Sequence, residues 1–193
     1  MKPPQIKNYD LGDSSRISKE IPDSVKLLIA NTIMAFAEME MSAELVLWKL
    51  TGLSTDDGKL LTQMDSKEQF ELTKKFSERY QIPIHAHPQT TSDIWSLIRM
   101  IVEARNKVAH GVWVMIDGNM PMAVTYRIPT GLGRIMGEHF PEERLALIAE
   151  NCWKIKRLFD EMADHIASLP ERPIPRNRQE PEALPALPKK LGN

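Results

Sequence analysis

The chain has 193 residues and a mass of 22.0 kDa, enough for one domain of ordinary size. Twenty-five Lys and Arg stand against 26 Asp and Glu, a formal net charge of −1, so no global basic excess marks a nucleic-acid binder. A single cysteine, Cys152, excludes an internal disulfide framework and a multi-cysteine zinc site, and no stretch approaches the roughly 18 apolar residues of a membrane span.

Met1-Lys2-Pro3-Pro4 has no apolar run behind it, so no secretory signal is expected and a soluble, cytoplasmic protein is. Residues 1–20 read as a flexible segment. Helical periodicity then runs from Pro22 to Leu50 and stops at Gly52, a residue suited to a left-handed C-terminal cap. Ser66-Lys67-Glu68-Gln69 has the pattern of a capping box and opens a second helix that reaches Tyr80. Pro83 and Pro88 enforce a loop containing His85 and His87. A third helix starts near Ser92 or Asp93 and ends near His110, with Gly111 just past it. Val112–Ile116 and Met120–Ile128 flank Asp117-Gly118-Asn119, a strong hairpin turn signal. Pro141-Glu142-Glu143 opens the last helix, which continues to Ser168, with proline early and acids in the first turn.

From Pro170 to Asn193 the chain is proline-rich and lacks aromatic residues, so it buries too little apolar area to offset the entropy of ordering. It reads as a disordered or polyproline-II tail, a linker in preference to a ligand for a proline-reading domain. The fold expected is all-α: an up-and-down bundle of four main helices with a β-hairpin inserted before the last, spanning 21–169 between disordered termini. The charge divides along the chain. The tail has five basic residues against three acidic, and residues 1–20 have four against three. The bundle is therefore mildly acidic, which counts against a broad RNA- or DNA-binding face.

On a helical wheel the third helix has a core stripe of Ile94, Leu97, Ile98, Ile101 and Val108, and Arg105 falls near its centre. In the first helix the stripe is Val25, Leu28, Ile29, Phe36, Ala43, Leu47 and Leu50, and Glu40 falls inside it. A lone buried charge is costly, so a Glu40–Arg105 contact is expected; the alternative is that both side chains reach water from the stripe's edges. Met34, Met41, Leu45 and Trp48 form a second apolar face on the first helix. A homodimer contact would bury it, and so would cover by the hairpin or the last helix.

The chemistry concentrates in Ala104-Arg105-Asn106-Lys107-Val108-Ala109-His110-Gly111. Asn106 and His110 are four apart and share a face, and Arg105 has the reach to converge with them on one ligand. A histidine at a helix C-terminus is favoured as imidazolium and suits proton transfer near neutral pH. Arginine offers a planar fork of donors matched to phosphate, and Asn106 can position a substrate hydroxyl. Together they suit phosphodiester cleavage without a metal. Spacing alone is met as well, or better, by a helix-ending histidine beside a structural arginine.

The R-N-x-x-x-H pattern, followed by Gly111 and the strand residues Val112-Trp113, resembles the HEPN superfamily of helical domains. The resemblance extends to the core-facing acid of the first helix and the apolar residues after it, Glu40-Met41, Leu45 and Trp48-Lys49-Leu50. It covers about Pro22 to Ser168, and only the short motif is specific. The resemblance implies a metal-independent endoribonuclease with Arg105, Asn106 and His110 as the catalytic set and Glu40 as an accessory orienting acid, requiring no cofactor. It also implies a homodimer with two motifs facing one cleft, an RNA substrate, and a toxin or phage-defence setting with an antitoxin or nucleotidyltransferase partner. Inactive members of the superfamily make a non-catalytic dimerisation or binding module the alternative.

The other candidates carry less. His85-Ala86-His87 lacks an evident third metal ligand. Cys152 and His165 are thirteen residues apart, too far for a nucleophile pair, and Cys152 reads as core. Gly131-Leu132-Gly133-Arg134 is too short for a nucleotide loop. Trp95, Trp113 and Trp153 read as core or hairpin cover rather than base-stacking platforms.

Overall fold

A computed structural model describes residues 17–54, 56–58, 64–82, 84, 90–125 and 136–169. Four long helices dominate: α1 (Asp23–Thr51), α2 (Ser66–Tyr80), α3 (Thr91–His110) and α4 (Glu142–Ser168). They are joined by a four-stranded antiparallel sheet, β1 (Ile17–Ser18), β2 (Val112–Ile116), β3 (Met120–Thr125) and β4 (Met136–His139), in the order β1-β2-β3-β4.

Local chemistry explains the boundaries. Gly52 closes α1 at φ 73°, a left-handed conformation that glycine adopts without a Cβ penalty, and its N–H reaches the Trp48 carbonyl. The cap of α2 is Asp65 rather than Ser66: its carboxylate accepts from the Glu68 N–H. Thr90 caps α3 in a capping box with Asp93, two residues ahead of the expected start. Asp117 (φ 51°) and Gly118 (φ 72°) turn β2 into β3, with Ile116 opposite Met120.

The sheet is larger than a hairpin. Ile17 and Ser18 pair with Ile116 and Met115, so the folded part begins before residue 21. β4 pairs with β3, Met122 opposite His139 and Val124 opposite Gly137. Val114, Ile116, Met122 and Val124 form a small cluster with Ile17 and Met120, while Trp113 and Ala123 join the helical core. Residues 126–128 of the expected second strand, the loop with His85 and His87, Gly131–Arg134 and the proline-rich tail lie outside the described residues.

α1 and α4 lie side by side and run in the same direction. Ser24 meets Glu142, Thr32 meets the Leu145 carbonyl, Ser42 meets Asp160, and Lys49 meets the Ala163 carbonyl. Strict up-and-down alternation would set the first and fourth helices antiparallel; the sheet between α3 and α4 returns the chain to the start of α1 instead. The buried arc of α1 is correspondingly wide. Ala35, Met39 and Val46 are buried in addition to Val25, Phe36, Ala43, Leu47 and Leu50 of the expected stripe.

Each helix places one aromatic ring in a common row. Phe36 of α1 meets Phe70 of α2 edge-on at 6.1 Å, Phe70 stacks on Phe159 of α4 at 6.1 Å, and Phe159 meets Trp95 of α3 at 6.0 Å. Such pairs add about 0.5–1.5 kcal/mol each beyond area burial. Cys152 is buried in the same core, and burial pushes its thiol up to about 12, far from a nucleophile's range. Phe159 touches two rings of the row, so Phe159→Ala is expected to cost about 3–5 kcal/mol. Thermal unfolding followed by circular dichroism checks this.

Candidate functional site

The motif occupies the last two turns of α3. Arg105 is half-buried, as its place in the core stripe requires, while Asn106 and His110 are exposed. The guanidinium of Arg105 lies over the Phe36 ring, 4.9 Å from its centroid, and Nη1 donates to Asn106 Oδ1 at 3.3 Å. Its Nε–H is buried without a hydrogen-bond partner. Arg105 and Asn106 are thus brought together, and His110 follows Asn106 by one turn on the exposed face.

The expected Glu40–Arg105 contact is not made. No ion pair joins them; Arg105 instead reaches the Phe36 ring, one helical turn before Glu40. The Glu40 backbone carbonyl accepts from buried Gln69 Nε2 on α2. The Glu44 carboxyl is raised above its ordinary value, first by burial and then by the charge on Glu40. Glu40 is therefore half-buried on α1 but not bonded to the motif.

The end of α3 is held from three sides, and two of the residues that hold it, Glu138 and Arg144, are ones that sequence reasoning passed over. Lys107 of α3 and Arg144 of α4 both bind the Glu138 carboxylate on β4. Arg144 also donates to the His139 carbonyl and lies over the Phe140 ring at 4.3 Å. Trp113, half-buried against Phe140, donates its indole N–H to the Val108 carbonyl, which has no partner within the helix. Gly111 leaves the helix with an ordinary φ of −75°, so space and not conformation requires it. A Cβ there would lie 2.5 Å from the Lys107 carbonyl and 2.8 Å from Ala123 Cβ. The lone pattern signal for this arrangement was Gly111; Glu138 and Arg144 sit more than 25 residues downstream with no motif of their own.

Asn106 also lines a groove of about 90 Å³ between α2 and α3, with Lys67, Lys74 and Arg99 beside Glu71 and Glu103. Trp95 lines it from the core side, its indole N–H buried without a partner. Among the described residues no group of three or more His, Cys, Asp and Glu is placed to hold a metal ion, and no helix is long and apolar enough to cross a membrane. Comparison of the chain with protein-family models, with curated proteins and with solved structures gives no match.

Glu138 supplies a pH test. Burial alone would raise its carboxyl, but hydrogen bonds and charge from Lys107 and Arg144 outweigh that and hold it below the ordinary range. A depressed folded-state value stabilises the fold above the unfolded value, about 4.3, and that contribution is lost as pH falls through the folded one. Glu138→Gln is therefore expected to melt below the parent at neutral pH, with the gap closing as the pH drops under about 4. Melting temperatures across an acid series read this directly, and a gap independent of pH would contradict it.

Proposed function

We propose that the chain is a HEPN-type, metal-independent endoribonuclease acting in the cytoplasm, in the manner of a toxin or phage-defence effector. RNA is its substrate, and an antitoxin or nucleotidyltransferase is its partner. The observation that carries the reading is the cost of Arg105. A leucine in the centre of that stripe would contribute about 1.5–3 kcal/mol by burial. The guanidinium gains roughly 0.5–2 kcal/mol from the Phe36 face and loses about 1–3 kcal/mol through its unpartnered N–H. A residue that returns so little stability at a core position is explained by chemistry, and it stands one position from Asn106 and five from an exposed His110.

In this mechanism Arg105, steadied by Asn106, binds the scissile phosphate and offsets the charge that builds on phosphorus. His110 takes the proton of the neighbouring 2′-hydroxyl as its oxygen attacks phosphorus, and the imidazolium so formed donates to the departing 5′-oxygen. The products are a 2′,3′-cyclic phosphate and a free 5′-hydroxyl. Lys67, Lys74 and Arg99 give the adjoining groove cations for the flanking phosphates without requiring a basic face elsewhere.

The contact of Arg105 with Phe36 also favours a second reading, a non-catalytic binding module in which the arginine is a packing element. The two separate cleanly. For a ribonuclease, His110→Ala and Arg105→Leu abolish cleavage of single-stranded RNA, and Arg105→Leu melts no lower than the parent. For a binding module, the parent shows no cleavage, His110→Ala is silent, and Arg105→Leu lowers the melting temperature. Cleavage assays with end-group analysis and thermal melts of the same three proteins decide between them.

A further inference from the structure

The groove between α2 and α3 is walled by two polar rows. Lys67, Glu71 and Lys74 follow one another at four and three residues on α2, and Arg99, Glu103 and Asn106 do the same on α3. That spacing keeps each row on one face of its helix. The floor between them is core: Phe70, Trp95, Ile98 and Val102 are each at most 5% exposed. A closed cavity of roughly 150 Å³ takes a benzene ring whole. At about 90 Å³ this groove takes part of a flat ring and leaves the rest over its mouth.

The polar groups differ in what they have left to offer. Glu71 stands 4.0 Å from Arg99 and Lys74 3.9 Å from Glu78, both at the outer limit of an ion pair. Among the described residues no ion pair or hydrogen bond engages Lys67 or Glu103. Asn106 accepts from Arg105 through Oδ1, and because a guanidinium only donates, the amide NH2 is what remains to it. The indole N–H of Trp95, in the same wall, is buried without an acceptor. The ligand that fits is apolar on its faces and anionic at one end. Its edge carries donors for Glu103 beside an acceptor for Asn106.

We propose that the groove is a pocket for a guanine nucleotide, with Glu103 reading the base and Lys67, Lys74 and Arg99 attracting its phosphate. Of the four bases guanine alone sets two donors, N1–H and the N2 amino group, side by side, which matches both oxygens of a carboxylate. Its O6, next to them, accepts from the Asn106 amide. Adenine and cytosine offer one amino group beside a ring nitrogen whose lone pair repels the second oxygen. Uracil offers one N–H between two carbonyls. An unstacked base is read on this edge while its faces lie against apolar side chains. Asn106 belongs to the groove and to the motif alike, so the guanine is that of the nucleotide beside the cut bond. That placement rests on the ribonuclease reading; the pocket itself does not.

Calorimetric titration of the full-length chain with guanosine 5′-monophosphate tests the pocket without RNA. The expected result is saturable binding, at least about tenfold tighter than that of the adenosine, cytidine and uridine monophosphates or inorganic phosphate, the discrimination a bidentate contact gives a base. Glu103 is exposed, so Glu103→Gln keeps the fold, and it is expected to bring the guanine nucleotide down to the level of the adenine one. Lys67→Ala with Lys74→Ala weakens all four nucleotides together. Glu161→Gln, which neutralises an exposed acid on α4, leaves the preference in place. Equal binding of guanine and adenine nucleotides, a preference that survives Glu103→Gln, or no binding at millimolar concentration overturns the inference. If the guanine nucleotide binds and RNA is never cut, the pocket stands and the ribonuclease reading falls. If RNA is cut with no guanine at a fixed place beside the cut, and the mononucleotide does not bind, the pocket alone falls.

Discussion

The row of rings from Trp95 through Phe159 and Phe70 to Phe36 takes one member from each helix and ends under the guanidinium of Arg105. Core and candidate site therefore share a residue. Phe36 is fully buried, makes an edge contact with Phe70, and presents its face to the one cation that enters the stripe of α3. An aromatic face is a weak partner for a charge compared with a carboxylate, but it leaves the guanidinium's outer edge uncommitted. Arg105 spends part of that edge on Asn106. Pairing with Glu40 would have closed it.

If the row sets where Arg105 sits, the sheet sets where α3 stops. Glu138 gathers Lys107 from α3 and Arg144 from α4 at a half-buried position on β4, and Trp113 caps the Val108 carbonyl. Removing one member would leave charge at a poorly solvated place, a more serious loss than that of a surface ion pair. The effect is to hold the last turn of α3, a region that frays in an isolated helix, against two other elements. His110 is exposed, yet the backbone that carries it is fixed. Gly111 completes the arrangement by letting β3 approach at Ala123.

The acid excess of the sequence between its two basic ends has a local exception in the groove beside Asn106, where Lys67, Lys74 and Arg99 outnumber Glu71 and Glu103. Arg99 stands 4.0 Å from Glu71, an exposed pair of small energetic consequence that gives way readily to a stronger anion. Net charge summed over a chain does not resolve such a feature, because screening confines it to roughly a Debye length, about 8–10 Å.

The sequence by itself determined the four long helices, the turn between β2 and β3 and the identity of the motif. Gly52 with its left-handed φ, the Asp117-Gly118 turn and the acids after Pro141 are local rules, and the structure obeys them to within two residues. A wheel likewise placed Arg105 in the core stripe and Asn106 with His110 on one face, since azimuth along a helix depends on that helix alone. Tertiary structure decided what each residue meets. Whether Arg105 finds Glu40 or Phe36 turns on a shift of one helical turn between α1 and α3, and nothing local encodes it. The two-residue strand at Ile17 and the four-residue strand containing Gly137 carry almost no period-two signal; they exist because β2 and β3 offered edges to pair with. The parallel course of α1 and α4, and the burial of Trp48 beneath Gly58, are likewise products of packing between segments distant in the chain or separated by a loop. Periodicity fixes the direction in which a side chain leaves its own backbone, and only the assembled fold says what occupies the space there.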